Sequence, residues 1–408
     1  IPGPSPTCQS PTSRLANGGK GSSMIDPDLS RRLKEHYVSK GHLLKLHMDI
    51  LYACDLDCQH CYLDDKSRPQ TSSDAIIDVL KQGAELGALQ VLFSGGEIFL
   101  RKDLFTILQA AKDLRYDIRL KTHGGRITEE DAQKLSALSV SKVDFSVYAI
   151  NDDVHDFFTR KEGSLARTLR GIELLRKYDV PIHVNCPVST ANWGYHEALH
   201  QYFHERDISV KLDAWIRGTN SLETSTYCLN VEHEEKVQLE LYKMQQDGAP
   251  MTMGEPPPPS EARLCYAGAT VVYIGPDLKV YPCVSFPMEC GDLTKNSLAE
   301  IWRGSEPLIE VRDARRSDLE GCGGCKARGA CSYCMGVAYV ESGGETWKRP
   351  AELNCDQSFV RHESRERFQE GETAQPSVRR APRSKKIKFS IAVNGEQQSK
   401  NNTVAYKM

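Results

Sequence analysis

The sequence contains no long apolar run. None of its 408 residues fall in a stretch approaching the ~20 apolar residues that cross a bilayer. Its opening segment, IPGPSPTCQSPTSRLANGGKGSS, lacks the apolar centre of a secretion signal. That segment is rich in Gly, Ser and Pro and precedes Met24, so it stands apart from the fold as an extension. An excess of one charge is also missing. The 52 Lys and Arg nearly balance the 55 Asp and Glu, a net −3, so nothing global points to nucleic acid or membrane as a partner. Cysteine, by contrast, is plentiful. Fourteen cysteines without a secretion signal argue against a disulfide framework and for metal or redox use. Cytoplasmic residence at low oxygen is the matching expectation.

The length suits roughly two to three domains at ~150 residues each. Strand-like runs occur at 45–52, 89–93, 117–121, 142–147, 181–186 and 208–213, with helical patterns between them. In SSDAIIDVLKQGAELG, Ile76, Leu80 and Ala84 recur on one face, and Asp74 is positioned to cap. DLFTILQAAKDL, TEEDAQKLSAL, SLARTLRGIELLRKY and HEALHQYFHER behave likewise. This alternation predicts a parallel α/β sheet, open or barrel-like, with ligands at the C-terminal strand ends. Met253-Gly254-Glu255 and the prolines 256–259 form a stiff break, taken as a domain boundary. Past about residue 361 the chain is charged and polar, with a basic run over 379–388 and then KFSIAVNGEQ, a tail with room for one strand. The expected organisation is an N-terminal extension over 1–40, a core over 41–250, a cysteine-rich module over 251–360 and a basic tail over 361–408.

Cys54, Cys58 and Cys61 stand as C-x3-C-x2-C just after the first predicted strand. Three thiolates on one loop suit three corners of a [4Fe–4S] cube, leaving one iron open to chelation by an amino nitrogen and a carboxylate. Unligated loop cysteines, or a zinc site, are the alternatives, although structural zinc wants four ligands. FSGGE (93–97) ends the second strand, where two glycines allow close approach and Glu97 offers an acceptor to an ammonium. Together these motifs resemble the radical S-adenosylmethionine (SAM) superfamily over about 45–215. The resemblance implies a partial (β/α)6 TIM-like barrel. It also implies that Cys54, Cys58 and Cys61 hold a cluster, with SAM on its fourth iron and Gly95, Gly96 and Glu97 at the SAM amino group. His60 stands where the family often has an aromatic near the adenine. Ser146, in FSVYA, and Arg160, in VHDFFTRKEGS, are candidate SAM contacts. KTHGGRIT resembles the family's T-N-G turn, with His123 in place of asparagine.

CYAGATVVYIGPDLKVYPC (265–283) alternates around a Pro-Asp turn, as a hairpin with cysteine at both ends. Beyond it come CGGCKARGACSYC (322–334) and Cys355; on spacing alone this run also suits a zinc ribbon. In context, residues 262–358 resemble a SPASM domain. The resemblance implies two auxiliary [4Fe–4S] clusters, one on Cys265, Cys283 and Cys334 and one on Cys322, Cys325, Cys331 and Cys355. Cys290 is a candidate fourth ligand of the first, a small buried residue being the alternative. Leu278 stands where the hairpin usually has glycine.

Taken together, the resemblance implies an oxidoreductase that uses a 5′-deoxyadenosyl radical to take hydrogen from an unactivated carbon. The expected substrate is a ribosomally made precursor peptide, cross-linked or otherwise oxidised, with a flavodoxin- or ferredoxin-type reductant. Oxidation of a small molecule or sugar is the alternative. Formylglycine formation of the sulfatase-maturase type fits less well, since Val284 rather than aspartate follows Cys283. Asp213, ending strand six, is the candidate base, with a solvated strand-end carboxylate as the plain alternative. Met24–Leu44 is too short for a winged-helix leader-recognition domain, so leader binding is expected at the barrel mouth, on the basic tail or on a separate protein.

Overall fold

The computed structural model describes residues 27–67, 70–247 and 259–379. Its elements in chain order are α1 (Pro27–Lys40), β1 (Lys45–Leu51), α2 (Ser73–Glu85), β2 (Gln90–Gly95), α3 (Leu104–Asp113), β3 (Asp117–Thr122), α4 (Glu129–Ala137) and β4 (Lys142–Ser146). Then follow α5 (Asp152–Thr159), α6 (Ser164–Lys177), β5 (Ile182–Pro187), α7 (His196–His204), β6 (Ser209–Asp213) and α8 (His233–Asp247). The remainder is β7 (Val271–Ile274), β8 (Lys279–Tyr281), β9 (Gly291–Asp292), α9 (Leu298–Gly304), α10 (Glu306–Asp313), α11 (Met335–Glu341) and α12 (Glu352–Gln369).

The six predicted strands are β1 to β6, all parallel to their neighbours. Local signals set the helices between them. Ser72, rather than Asp74, caps α2 by accepting from the Ala75 N–H, and α2 buries Ile76, Val79, Leu80 and Gly83 along one stripe. Thr128 and Asp131 close a capping box on α4. The helices cover one face of the sheet, where Leu46, Phe93, Leu120, Phe145 and Val184 are fully buried.

The opposite, concave face is polar. Residues paired in register share a face, so Lys121, Asp144 and His183 form one row and Ser146, Asn185 and Lys211 the next. β1 adds His47 and Asp49 on the same side. A closed barrel would fill this space with branched apolar side chains. Here it opens as a cleft at the C-terminal strand ends.

The cysteine-rich module does not form a sheet of its own. β7 pairs in parallel with β1, and β8 and β9 follow antiparallel, giving one sheet ordered β6-β5-β4-β3-β2-β1-β7-β8-β9. Leu278 turns the β7–β8 hairpin in the left-handed region, at φ 62°, doing with a leucine what the turn usually asks of glycine. Phe286, Val311, Tyr333, Met335 and Trp347 form a second core beneath the cysteine loops.

Two expected boundaries differ. α1 occupies part of the expected 1–40 extension, and α12 runs through residue 360 to Gln369. α12 is tied to α8 by Lys236–Asp356 at 2.5 Å and by Arg367–Glu234 at 2.7 Å. Ser377 beyond it donates to Glu197 at 2.6 Å. The break at 253–259 lies almost wholly outside the described residues. So do the KFSIAVNGEQ segment and all but the first residue of the basic run. Among the described residues no helix is long and apolar enough to cross a membrane.

Candidate functional site

β1 ends into the Cys54–Cys61 loop, and α5 supports that loop from below. Asp57 N–H donates to Thr159 O at 3.1 Å and Gln59 N–H to Phe158 O at 3.0 Å. Gln59 Nε2 adds a bond to Phe157 O at 2.8 Å. Tyr148 stacks on Phe158 at 4.0 Å, and its hydroxyl reaches Cys58 Sγ at 3.6 Å. His60 packs against both rings, 5.3 Å from Tyr148 and 5.0 Å from Phe158. Burial raises the Cys58 thiol to about 12, and it raises Cys61 as well.

The second strand explains its own glycines. Gly96 N–H donates to Leu51 O and Glu97 N–H to Ala53 O, both at 2.9 Å. A Cβ on Gly95, which sits at φ 129°, would lie 2.1 Å from Leu51 O, and one on Gly96 would lie 2.1 Å from Ala53 O. Their absence lets the end of β2 rest directly on the backbone that leads into Cys54.

Glu97 is fully buried. Thr122 Oγ1 donates to it at 2.7 Å, the His123 N–H at 3.0 Å and the Phe99 N–H at 3.1 Å. His123 Nε2 stands 3.0 Å from Glu97 and 2.9 Å from Asp55. Burial alone would lower the His123 imidazolium, but the Glu97 and Asp55 carboxylates raise it to about 10. His123 thus locks the β3 turn to both the FSGGE turn and the cysteine loop.

Cys54, Cys58, Cys61, His60, Gly95, Gly96, Ser146 and Asp213 line one cleft of about 420 Å³. Val284 and Ser285, next to Cys283, face the same space. Glu97 lies behind the lining, with its oxygens engaged by the chain. Arg160 is outside it, pairing with Asp57 at 2.8 Å on the outer side of the loop. Asp213 is half exposed and 3.4 Å from Lys211.

In the second cysteine group, Cys265, Cys283 and Cys334 act electrostatically on one another. Burial raises Cys265 to about 11 and Cys283 to about 12. Cys290 is not part of this group. It sits in the sheet's apolar core, with its sulfur on Met288 O at 3.5 Å. Cys322, Cys325, Cys331 and Cys355 surround a separate cavity of about 180 Å³, with Arg316 and Arg328 beside them.

The cysteine sets as they stand do not form a compact single-ion cage. Ligands on tetrahedral zinc at about 2.3 Å stand under about 4 Å apart. Among the described residues, the one group of three or more His, Cys, Asp or Glu ligand atoms within 4.8 Å of one another is Cys54, Asp55 and His123. Its imidazole is already taken up by two carboxylates. No three of the cysteine thiols lie that close together among the described residues.

Sequence reasoning missed Lys121, Asn185, Trp215 and Arg217, which also line the cleft. Strand alternation in DIRLKT placed Lys121 opposite the apolar face, a usable signal. Arg217 follows β6 and had none.

Residues 48–198 match the radical SAM superfamily, and residues 265–326 match an iron–sulfur cluster-binding domain, SPASM. The chain is 26% identical to the AdoMet-dependent heme synthase of Methanosarcina barkeri over 74% of this chain and 94% of that one. It is 26% identical to AlbA, the antilisterial bacteriocin subtilosin biosynthesis protein of Bacillus subtilis, over 74% and 72%. The fold matches Streptococcus suis SuiB bound to its precursor peptide SuiA, at TM-score 0.61 and 16% identity over 83% of each chain. Residues 48–198, with the parallel half-barrel and its cysteine loop, are thus a radical SAM domain, and the joined cysteine-rich module carries a SPASM domain over residues 265–326.

Proposed function

We propose that this chain is a radical SAM oxidoreductase that removes hydrogen from carbon in a peptide substrate. The observation that carries this reading is a single cleft lined by the three-cysteine loop, the Gly95-Gly96 turn and the residues next to Cys283. Cys54, Cys58 and Cys61 would hold the SAM-binding [4Fe–4S] cluster. Gly95, Gly96 and Ser146 would border SAM, and His60 its adenine. When bound, this pair supplies the radical chemistry. The chain's share is placement and shelter. α5 fixes the loop, the His123–Glu97 pair fixes the turn opposite, and Tyr148 and Phe158 keep water from Cys58.

Cys322, Cys325, Cys331 and Cys355 would ligate one auxiliary cluster, and Cys265, Cys283 and Cys334 a second that lacks a fourth cysteine. A peptide substrate is supported by the likeness to AlbA and by the SuiB–SuiA fold match. A flavodoxin- or ferredoxin-type reductant and a separate leader-recognition protein complete the reading.

Anaerobic reconstitution tests it. About twelve irons per chain are expected, with 5′-deoxyadenosine released from SAM under dithionite. Replacing Cys54, Cys58 and Cys61 with alanine removes about four irons and all SAM cleavage. Retained cleavage would refute the assignment. A second reading, oxidation of a heme precursor, is favoured by the likeness to heme synthase across 94% of that relative. Mass spectrometry after incubation with each substrate class separates the two readings.

A further inference from the structure

We propose that the cleft holds its substrate by a carboxylate, bound between Lys121 and Arg217. This deepens the radical SAM reading and rests on it for the identity of the cleft. Besides the His123 imidazolium, which Glu97 and Asp55 hold, the described lining carries four cations, Lys66, Lys121, Lys211 and Arg217, against one carboxylate, Asp213. Two of the cations are already committed. Lys66 Nζ donates to Leu56 O at 2.8 Å and to Asp57 at 3.0 Å. Lys211 faces Asp213 at 3.4 Å.

Lys121 and Arg217 have no salt-bridge partner among the described residues. Asp144, in register beside Lys121, is occupied by Lys142 at 3.0 Å and Asn185 at 3.2 Å. Arg217 lies over the Tyr62 ring at 4.5 Å. Stacking of that kind orients a guanidinium and leaves its in-plane N–H fork for a carboxylate. Asp144 and Asp49 act electrostatically on Lys121, and Lys211 and Arg217 add weaker like-charge contributions. Like charges crowded in a sheltered cleft are relieved by an anion. His47 Nε2, in the same lining and 7% exposed, has no hydrogen-bond partner and stands 3.7 Å from Asp49 Oδ1.

The position favours substrate over SAM as the source of the carboxylate. Arg217 lines the cleft that reaches from the Cys54–Cys61 loop to Val284 and Ser285, next to Cys283. It therefore faces the space shared by the first cysteine loop and the residues beside Cys283.

Calorimetric titration of the iron-reconstituted, SAM-loaded protein tests this with two probe pairs. One is mesoporphyrin IX against its dimethyl ester. The other is the peptide Ac-Gly-Glu-Ala-Gly-NH2 against its glutamine counterpart. In at least one pair the acid binds about tenfold or more tighter than its neutral twin. The Lys121→Gln/Arg217→Gln variant abolishes that difference, while SAM affinity stays within about twofold. A response of the porphyrin pair alone assigns the carboxylate to a tetrapyrrole, and of the peptide pair alone to an acidic side chain; either supports the proposal. Acid and neutral twins binding alike, or an unaltered variant, overturns it. Loss of SAM affinity in the variant also overturns it, by assigning the cations to SAM. Lys121 is an exposed side chain, so the single Lys121→Gln variant keeps the test open should the double variant not fold. 5′-Deoxyadenosine release is scored separately. Its absence refutes the radical reading and leaves the titration to be judged on its own result.

Discussion

Individual residues around the cysteine loop carry more structural load than their motif roles suggest. Glu97 looked like an open acceptor in FSGGE, yet Thr122, His123 and Phe99 engage it from within the chain. Glu97→Gln breaks a buried ion pair, so a loss of about 3 kcal/mol is expected, read as a lowered thermal midpoint. Gly96→Ala drives a methyl to 2.1 Å from Ala53 O, whereas a Cβ on Gly304 meets nothing within 4 Å. Iron analysis after reconstitution should show about four irons lost in Gly96→Ala and none in Gly304→Ala.

Asp49 offers a pH readout. It is buried and accepts from Tyr273 at 2.8 Å and Tyr62 at 3.0 Å. Burial, partly offset by these bonds, raises its carboxyl to about 6. Unfolded, the group titrates near about 3.9, so the native state holds the extra proton between the two values. Its contribution favours the fold below pH about 4 and is lost as pH rises through about 6. Asp49→Asn should therefore gain about 2 kcal/mol on the parent between pH 4 and pH 7, measured as the difference in their stability–pH curves.

At the scale of elements, β1 to β6 and their helices were legible because each signal is local. Ile76 and Leu80 mark the buried stripe of α2, Thr128 and Asp131 mark the start of α4, and each strand is a short β-rich run. The cysteine groups were equally plain. Three things were not legible. The pairing of β7 with β1 joins residues more than 200 positions apart, and a four-residue strand carries no sign of its neighbour. The extension of α12 past residue 360 rests on contacts with α8, since its own exposed face is charged. The sharing of one cleft by Lys121 and Arg217 depends on how far the half-barrel curves. Trp302 shows how firmly the elements are joined. It is 1% exposed, and its Nε1 donates to Gly41 O at 2.8 Å, tying α9 to the end of α1. Trp302→Ala should cost about 3–5 kcal/mol, seen as a lower midpoint of thermal unfolding.

The whole molecule combines two kinds of stability. The barrel half has a continuous apolar core from Leu43 to Phe203, whereas residues 316–334 contain only short 3-10 turns around their cysteines. Metal binding would supply folding energy there. Iron chelation under anaerobic conditions should therefore speed amide exchange across 316–334 and 351–355 while β1 to β4 stay protected, as followed by hydrogen-exchange mass spectrometry.

The continuous sheet has a consequence for control. β7 is hydrogen-bonded to β1, so the first cysteine loop and the Cys265–Cys283 hairpin are mounted on neighbouring strands of one frame. Their separation is set once, when the chain folds, and no hinge lies between them to lengthen or shorten it. An electron passing from one site to the other would cross a fixed gap on every turnover.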